Sequence, residues 1–267
     1  MNGSQIRAVV TGATGGIGRE LAAELQRRGA AVTLVARDVE ALQQLVGSLG
    51  GRSERLTYCA ADVATASGRH AVIEVAVSGA CNVLVNNAGL GEFAFVDDQT
   101  DVALERLFAV NALAPMQLVR ALLPHLRSQP EAAVLNVGSV FGSLAYPGFA
   151  AYSASKFALR GFTEALRREL ADTHVRVHYL APRATRTTMN ASAVERMNAE
   201  LGVAMDEPAE VARALLALLR RPVRERLLGR PEALFARLNQ LLPGLLDRVL
   251  RRQLPVIRRF VPKGDAP

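Results

Sequence analysis

Short apolar or β-branched runs alternate with amphipathic stretches from residue 6 to about residue 229. This alternation is typical of βα units that build a parallel sheet. The apolar runs predict seven strands, at 6–11, 31–36, 55–60, 82–86, 132–138, 174–180 and 224–228. Apolar positions at three- and four-residue spacing predict helices at 17–28, 38–48, 66–78, 100–127, 150–171 and 207–220. We therefore expect a doubly wound α/β fold whose ligand site lies beyond the carboxyl ends of the strands.

Two segments depart from this alternation. Residues 183–206 lack firm periodicity and contain three methionines, which suits either a lid over an apolar ligand or ordinary core packing. Residues 231–250 form an apolar stripe that is interrupted near Pro243 and continues into paired arginines. We expect one domain over 1–230, with a lid at about 183–206, and a basic amphipathic extension over 231–267.

The net charge of +7 is concentrated in that extension. Residues 220–267 carry twelve Arg or Lys and four acids, whereas residues 1–219 carry twenty and twenty-one. The extension has two open interpretations: residues 231–260 lie on an anionic membrane surface, or they pack on the protein body or a second subunit. Its arginines are not interleaved with aromatic residues, so we expect no nucleic-acid partner.

The beginning of the chain bears on localisation. No basic segment followed by an apolar core precedes the first predicted strand, and no run of about 20 apolar residues occurs. We expect a cytoplasmic protein, with a peripheral position on the inner face of a membrane as the alternative that the extension leaves open.

A glycine-rich turn follows the first predicted strand. Gly12, Gly16 and Gly18, with Thr14 and Ile17 between them, stand where that strand turns into the first helix. Glycines permit a tight turn and a close approach of the backbone to a phosphate, and the N–H groups of the helix then face the anion. Ordinary turns also use glycine, but the position after the first strand favours a dinucleotide site.

The residue after the second strand bears on cofactor choice. A guanidinium at this position suits the 2′-phosphate of NADP, whereas a carboxylate suits the free 2′-hydroxyl of NAD. Arg37 therefore predicts a preference for NADP(H) over NAD(H), with Arg19 as a second cation. In the alternative interpretation Asp38 binds the ribose or caps the next helix, and Arg37 is a solvated charge.

Tyr152 and Lys156 are the candidate catalytic pair. They are four residues apart at the start of a predicted helix, so their side chains project from one face. A nearby ammonium favours the phenolate and lowers the pKa of a tyrosine. Of 32 basic residues only two, Lys156 and Lys263, are lysines, so the body of this arginine-rich chain places its single lysine at this position.

Together these motifs resemble the short-chain dehydrogenase/reductase family in its single-domain branch, over about residues 5–230. The resemblance implies a Rossmann fold with seven strands, NAD(P)-dependent oxidoreductase activity without a metal, and a homodimer or homotetramer. The motifs that carry it, in chain order, are Thr11-Gly12-x-x-x-Gly16-x-Gly18, Asp62-Val63, Asn86-Asn87-Ala88-Gly89, Asn111, Ser139, Tyr152-x-x-x-Lys156 and Pro182 to Thr187.

The resemblance implies a catalytic role for four residues. Tyr152 would exchange a proton with the carbonyl oxygen while a hydride moves between the substrate and the nicotinamide ring. Ser139, at the end of the fifth predicted strand, would hydrogen-bond that oxygen. Lys156 would also hold the nicotinamide ribose, and Asn111 would order a proton-relay water. For Asn111 a polar kink within a helix is the competing interpretation.

Cofactor contacts are implied in the same way. Asp62 would accept a hydrogen bond from the adenine amine, and Pro182 and Thr187 would contact the carboxamide. Arg183 stands where the family has glycine, which could place a positive charge near the substrate entrance. The further implied cofactor-lining residues are Gly12, Thr14, Gly16, Ile17, Gly18, Arg37, Val63, Asn87, Ala88, Gly89, Tyr152 and Lys156.

The expected function is thus an NADP(H)-dependent oxidoreductase that interconverts a carbonyl and a secondary alcohol on a hydrophobic substrate, such as a ketone or a 3-oxoacyl group. Two alternatives remain: an NAD-dependent alcohol dehydrogenase of the same fold, and a dinucleotide-binding scaffold without turnover. His174 and His178 are four residues apart but fall in a predicted strand and lack carboxylate companions, so we expect no metal site there.

Overall fold

The computed structural model of the protein describes residues 1–190, 192–220 and 224–262. Seven strands form one parallel sheet in the order β3-β2-β1-β4-β5-β6-β7. The strands are β1 (Arg7–Thr11), β2 (Ala31–Ala36), β3 (Leu56–Ala60), β4 (Val83–Asn86), β5 (Ala132–Val137), β6 (Val175–Ala181) and β7 (Glu225–Leu227). The strand order reverses between β1 and β4, and a ligand crevice is expected beyond this point.

Helices cover both faces of the sheet, as the apolar spacing predicted. They are α1 (Gly16–Arg27), α2 (Val39–Ser48), α3 (Ala66–Ser78), α4 (Asp101–Phe108), α5 (Ala114–Ser128), α6 (Ala150–Glu169), α7 (Ser192–Glu200), α8 (Pro208–Arg220), α9 (Arg230–Leu241) and α10 (Pro243–Phe260). One core cluster joins α1, α2 and α8 to the sheet, and a second joins α3, α5 and α6 to its other face. The predicted doubly wound α/β fold is confirmed.

The helix predicted over 100–127 contains a local change of winding. A π-helical turn, Ala109–Leu113, joins α4 to α5 and places Asn111 at its centre. The continuous helix Asp101–Ser128 is long and apolar enough to cross a membrane by length and composition alone, but half of its most apolar window is buried. Leu118, Leu122 and Leu126 of this helix pack into the core against the sheet.

The described part of the extension, residues 231–262, packs on the body of the protein. Its stripe is divided at Pro243, as predicted, into α9 and α10. Leu246 packs against Val140 and Leu144, and Ile257 is buried in a cluster with Phe149. Other apolar side chains of the extension remain exposed, including Leu241 at 78% and Leu242 at 56%.

Candidate active site

The glycine-rich turn lies against the end of β4. Gly12 has a φ of +64°, and a Cβ atom there would stand 2.7 Å from the Cα of Ala88, so both backbone conformation and space require glycine. The N-cap of α1, Gly15, provides no side-chain hydrogen bond to the first turn. The first N–H groups of α1 are therefore available to an anion.

Asn87 and Thr11 hold the ends of β1 and β4 together. The Asn87 side chain donates to the carbonyl oxygens of Thr11 and Gly12, each at 3.0 Å. The Thr11 hydroxyl accepts from the backbone N–H groups of Asn87 and Ala88, also at 3.0 Å each. These contacts hold the two strand ends together at the point where the strand order reverses.

An exposed arginine follows β2. Arg37 is exposed, whereas the carboxylate of Asp38 accepts a hydrogen bond from the N–H of Ala41 at 3.0 Å and caps α2. Asp38 therefore caps α2 and Arg37 is exposed to solvent, as the alternative interpretation expected of these two side chains. Arg19 donates to the carbonyl oxygen of Thr14 at 2.7 Å, which holds this second arginine beside the glycine-rich turn.

Asp62 follows β3 and is already engaged by protein donors. Its carboxylate accepts from the Ala64 N–H at 2.9 Å and from the Arg106 guanidinium at 2.6 Å. Burial acts to raise the pKa of Asp62, but these two hydrogen bonds and the charges of Arg106 and Arg37 lower it below its usual range. Each carboxylate oxygen has a second lone pair, which leaves Asp62 able to accept from an adenine amine.

Tyr152 and Lys156 share one face of α6. The ammonium of Lys156 lies 5.7 Å from the centroid of the Tyr152 ring and donates to the carbonyl oxygen of Val137 at 3.2 Å. Lys156 is only 4% exposed, and burial lowers its pKa to about 8. Its Nζ also lies 3.5 Å from the position that a Cβ of Gly89 would take.

The pKa of Tyr152 is raised, whereas the sequence predicted that Lys156 would lower it. Burial of the phenol raises this pKa, and a hydrogen bond with the Ser139 side chain only partly opposes the effect. The protonated phenol is consequently the favoured form, which is the form that donates a proton to a carbonyl oxygen.

Tyr179 packs against the turn that carries Ser139, and its hydroxyl accepts a hydrogen bond from the Ser139 N–H at 3.5 Å. Ser139 precedes a 3-10 turn, Val140–Gly142, and its hydroxyl accepts from the Phe141 N–H at 3.1 Å. The fully buried ring of Tyr179 lies under this turn, and a Cβ at Gly138 would stand 2.0 Å from it. Glycine at 138 therefore allows the strand end to approach the ring. Tyr179 was not predicted from sequence, because it lies 40 residues along the chain from Ser139.

The Asn111 side chain joins the backbone of Leu90, after β4, to Ser155 of α6. Its side chain accepts from the Leu90 N–H at 2.8 Å, donates to the Leu90 carbonyl oxygen at 2.9 Å and donates to Ser155 at 3.0 Å. Ser155 in turn donates to the carbonyl oxygen of Tyr152 at 2.7 Å. The π-helical turn thus orients Asn111 towards the segment after β4 and, through Ser155, towards the backbone of Tyr152. Ser155 was not predicted from sequence.

The segment after β6 lies against the glycine-rich turn and the ends of the central strands. The carbonyl oxygen of Pro182 accepts from the Val140 N–H at 2.9 Å. The methyl carbon of Thr187 lies 2.8 Å from the position that a Cβ of Gly16 would take, and the terminal carbon of Met189 lies 3.7 Å from that of Gly89. This segment therefore contacts both the glycine-rich turn and the surroundings of Lys156.

Arg183 does not present a free charge at the entrance. Its guanidinium forms ion pairs with Asp206 at 2.7 Å and with Glu232 of α9 at 3.4 Å. The positive charge at this position is thus paired with two carboxylates, and the segment after β6 is joined to the extension.

Aromatic side chains surround the remaining side of Tyr152. Phe141 and Phe149 meet its ring edge-on, at centroid distances of 6.3 and 6.2 Å. Seven of the thirteen aromatic residues of the chain belong to this aromatic cluster: Phe93, Phe95, Phe141, Tyr146, Phe149, Tyr152 and Phe260. These rings make the surroundings of the Tyr152 phenol apolar on this side.

The predicted site residues fall along one edge of the sheet. The glycine-rich turn, Arg37, Asp62, the segment 87–89 and Thr187 line the carboxyl ends of the strands, and Ser139, Tyr152 and Lys156 meet beyond β5. Open helix N–H groups, space kept by glycine and an exposed arginine are what a dinucleotide requires. The residues present therefore fit a nicotinamide dinucleotide.

Comparisons with known proteins agree with this geometry. The family described as short chain dehydrogenase matches residues 7–198. Dehydrogenase/reductase SDR family member 7B of Bos taurus is 32% identical over 260 residues, covering 91% of this chain and 79% of the relative. A short chain dehydrogenase from Burkholderia cenocepacia in complex with NADP superimposes with a TM-score of 0.78 at 28% identity, covering 94% and 99% of the two chains. A 3-ketoacyl-(acyl-carrier-protein) reductase from Brucella melitensis complexed with NADH gives a TM-score of 0.76 at 27% identity, covering 85% and 98%.

Proposed function

This chain belongs to the short-chain dehydrogenase family of oxidoreductases, and on that premise we propose that it uses NADP(H) to interconvert a carbonyl group and a secondary alcohol on a hydrophobic substrate. The observation that carries the proposal is the meeting of Ser139, Tyr152 and Lys156 beyond β5, beside the crevice that fits a dinucleotide.

Each of these side chains has a step in the reduction. Ser139 holds the carbonyl oxygen, and Tyr152 delivers its phenolic proton to that oxygen. Lys156 stabilises the phenolate that remains, because its buried ammonium lies close to the ring. The glycine-rich turn and Lys156 would hold a reduced nicotinamide cofactor, which would supply a hydride to the carbonyl carbon. The product is the alcohol, and oxidation follows the same steps in reverse.

The cofactor preference rests on the arginines at the adenosine end. Arg37 is exposed and Arg19 is held beside the glycine-rich turn, whereas the carboxylate of Asp38 is used as a helix cap. Two guanidinium groups favour a 2′-phosphate over a free hydroxyl. The relatives include complexes with NADP and with NADH, so the preference of this chain is our proposal.

The substrate proposal rests on the aromatic cluster. A carbonyl compound that reaches Tyr152 along the aromatic cluster meets Phe141 and Phe149, whose rings lie edge-on to the phenol. Apolar and aromatic walls gain most from the burial of an apolar substrate body.

Oxidation of NADPH in the presence of a panel of hydrophobic ketones tests this function. Tyr152→Phe is expected to lower the rate by roughly 10²–10⁴-fold, because it removes the proton donor, while NADPH affinity is retained. Activity that survives unchanged in Tyr152→Phe contradicts the mechanism. NADPH binding by the wild type without turnover of any ketone would favour a non-catalytic scaffold.

We also propose that the extension holds the protein at the inner face of a membrane. Exposed apolar side chains project from α9 and α10, namely Leu234, Phe235, Leu241, Leu242, Leu245 and Val249. Seven arginines and two acids lie between residues 230 and 260. Apolar burial and attraction to anionic headgroups add together on such a surface.

A homodimer or homotetramer is the assembly we propose. Leu113 of the π-helical turn and Phe157 of α6 are 50% and 40% exposed on two elements that pack against each other. Phe157→Glu is expected to shift the mass measured by light scattering towards the monomer.

A further inference from the structure

The last turns of α10 lie over the aromatic cluster. The Gln253 side-chain oxygen accepts a hydrogen bond from the Tyr146 hydroxyl at 2.8 Å. One turn later Ile257 is fully buried in the same cluster, and Val261 lies 3.4 Å from the position that a Cβ of Gly148 would take. Side chains spaced by four residues therefore anchor the end of α10 beside the catalytic tyrosine.

Tyr146 connects this anchor to Tyr152. Its ring stacks on Phe141, with centroids 5.2 Å apart and planes inclined by 6°, and Phe141 meets Tyr152 edge-on at 6.3 Å. Burial raises the pKa of Tyr146 to about 12, so its hydroxyl remains a hydrogen-bond donor at neutral pH. The hydrogen bond to Gln253 consequently fixes the outer ring of a stack that ends on the catalytic phenol.

Further contacts join the same part of α10 to the aromatic cluster and to α7. The Arg258 guanidinium lies 5.3 Å from the ring centroid of Phe95, and Arg259 forms an ion pair with Glu200 of α7. Pro255 stands within the helix and cannot donate a backbone hydrogen bond. Gln253 is one of several side chains that hold this end of α10 against the body.

We infer that residues 253–261 form the substrate-side wall of the active site and that Gln253 is a positioning residue for substrate selection. By holding Tyr146 and Phe141 against Tyr152, Gln253 sets the shape of the space that receives the apolar body of an aryl or long-chain alkyl ketone. This inference rests on the proposed function for the identity of the reacting group. The contacts of Gln253 and the binding of a ketone do not depend on whether the protein turns that ketone over.

The test is direct binding of dimethylaminonaphthalene ketones that carry acetyl, propionyl or lauroyl chains. Their emission shifts to shorter wavelength in an apolar site, so affinity is measured without hydride transfer, in protein saturated with NADP⁺. Gln253→Leu and Tyr146→Phe are each expected to weaken binding of the propionyl ketone about fivefold to tenfold, the effect of one lost hydrogen bond. The loss is expected to differ between the propionyl and lauroyl ketones.

Three comparisons separate positioning from a general structural effect. The double variant is expected to bind no more weakly than either single variant, because both changes remove one hydrogen bond. Gln253→Glu keeps an acceptor and is expected to bind like the wild type. Gln240→Leu makes the same chemical change as Gln253→Leu at an exposed position of α9 and serves as the matched control.

Several results would overturn the inference: no blue-shifted binding to the wild type, an equal loss for all three ketones, additive losses in the double variant, or the same loss in Gln240→Leu. Binding by Tyr152→Phe that still depends on Gln253 supports the wall whatever the turnover assay gives. If the wild type reduces no ketone but its affinity for the ketones still depends on Gln253, the proposed function is wrong and the inference about residues 253–261 is supported.

Discussion

At the scale of single residues, Arg37 is the side chain on which cofactor preference depends. It is exposed at the end of β2 and close enough to lower the pKa of Asp62. Arg37→Ala is expected to weaken NADPH binding about tenfold or more and to leave NADH binding nearly unchanged, because only NADPH carries the 2′-phosphate. Titration calorimetry measures both affinities.

Arg120→Ala provides the matched control for this prediction. Arg120 is an exposed arginine on α5, outside the crevice. Its substitution is expected to change neither affinity. Tighter binding of NADH than of NADPH by the wild type contradicts the preference.

Lys156 gives stability a predictable pH dependence. Burial lowers its pKa from the ordinary 10.5 to about 8, so the unfolded chain binds more protons than the folded protein between these values. The folded state carries the full cost of burying the ammonium below pH 8, and that cost falls as the pH rises. The free energy of unfolding should therefore rise by about 1 kcal/mol more between pH 8 and 9 in the wild type than in Lys156→Met. If urea unfolding gives the same change in the free energy of unfolding between pH 8 and 9 for both proteins, the prediction is wrong.

Site residues could be predicted from sequence where a short motif spacing brings them together. They could not be predicted where the contact joins residues that are far apart in the chain. The four-residue spacing brought Tyr152 and Lys156 together, and Ser139 reached them because β5 ends beside α6. The pairing of Arg106 with Asp62 joins residues 44 apart. Such a contact has no periodic signal, and it depends on how α4 packs over the sheet.

At the scale of elements, the packing of α10 is tested by two adjacent leucines. Leu246 is 3% exposed against Val140 and Leu144, whereas Leu245 is 46% exposed. Leu246→Ala is expected to lower the free energy of unfolding by roughly 2–5 kcal/mol, since it removes buried methyl groups and leaves a cavity. Leu245→Ala makes the same change on the exposed face and should cost less than about 0.5 kcal/mol. Equal effects in urea unfolding would mean that α10 is not docked.

Apolar periodicity predicted the strands, six helices and the break at Pro243 to within about two residues. It did not predict the π-helical turn, because one additional residue in a turn leaves the apolar spacing of the flanking helices almost intact. It also left open where the extension lies. The stripe on 231–250 includes both Leu246, which is buried, and Leu241, which is exposed, and sequence alone does not separate the two faces.

At the scale of the whole molecule, charge and exposed apolar area are combined in the extension. Sedimentation with phosphatidylglycerol-containing vesicles is expected to recover the wild type, and phosphatidylcholine vesicles are expected to recover much less. Binding should fall as salt is added, since exposed charges are screened. Leu241→Ser with Leu242→Ser should weaken binding without unfolding, because both side chains are exposed.

These substitutions are preferable to removal of the extension, because truncation would also expose the surfaces that Leu246 and Ile257 cover. Arg120→Gln, a charge change away from the extension, is the control. Equal sedimentation with both kinds of vesicle, or no loss in the double serine variant, would exclude the membrane contact.

The π-helical turn at Ala109–Leu113 also has an evolutionary consequence. A π turn is equivalent to a one-residue insertion in a helix, so deletion of one residue there would restore regular α-helical winding. Each residue of an α-helix turns the chain by about 100°, and the deletion would swing Asn111 away from Leu90 and Ser155. Mutational scanning should therefore find that single-residue deletions are selected against in this segment even where they make the helix more regular.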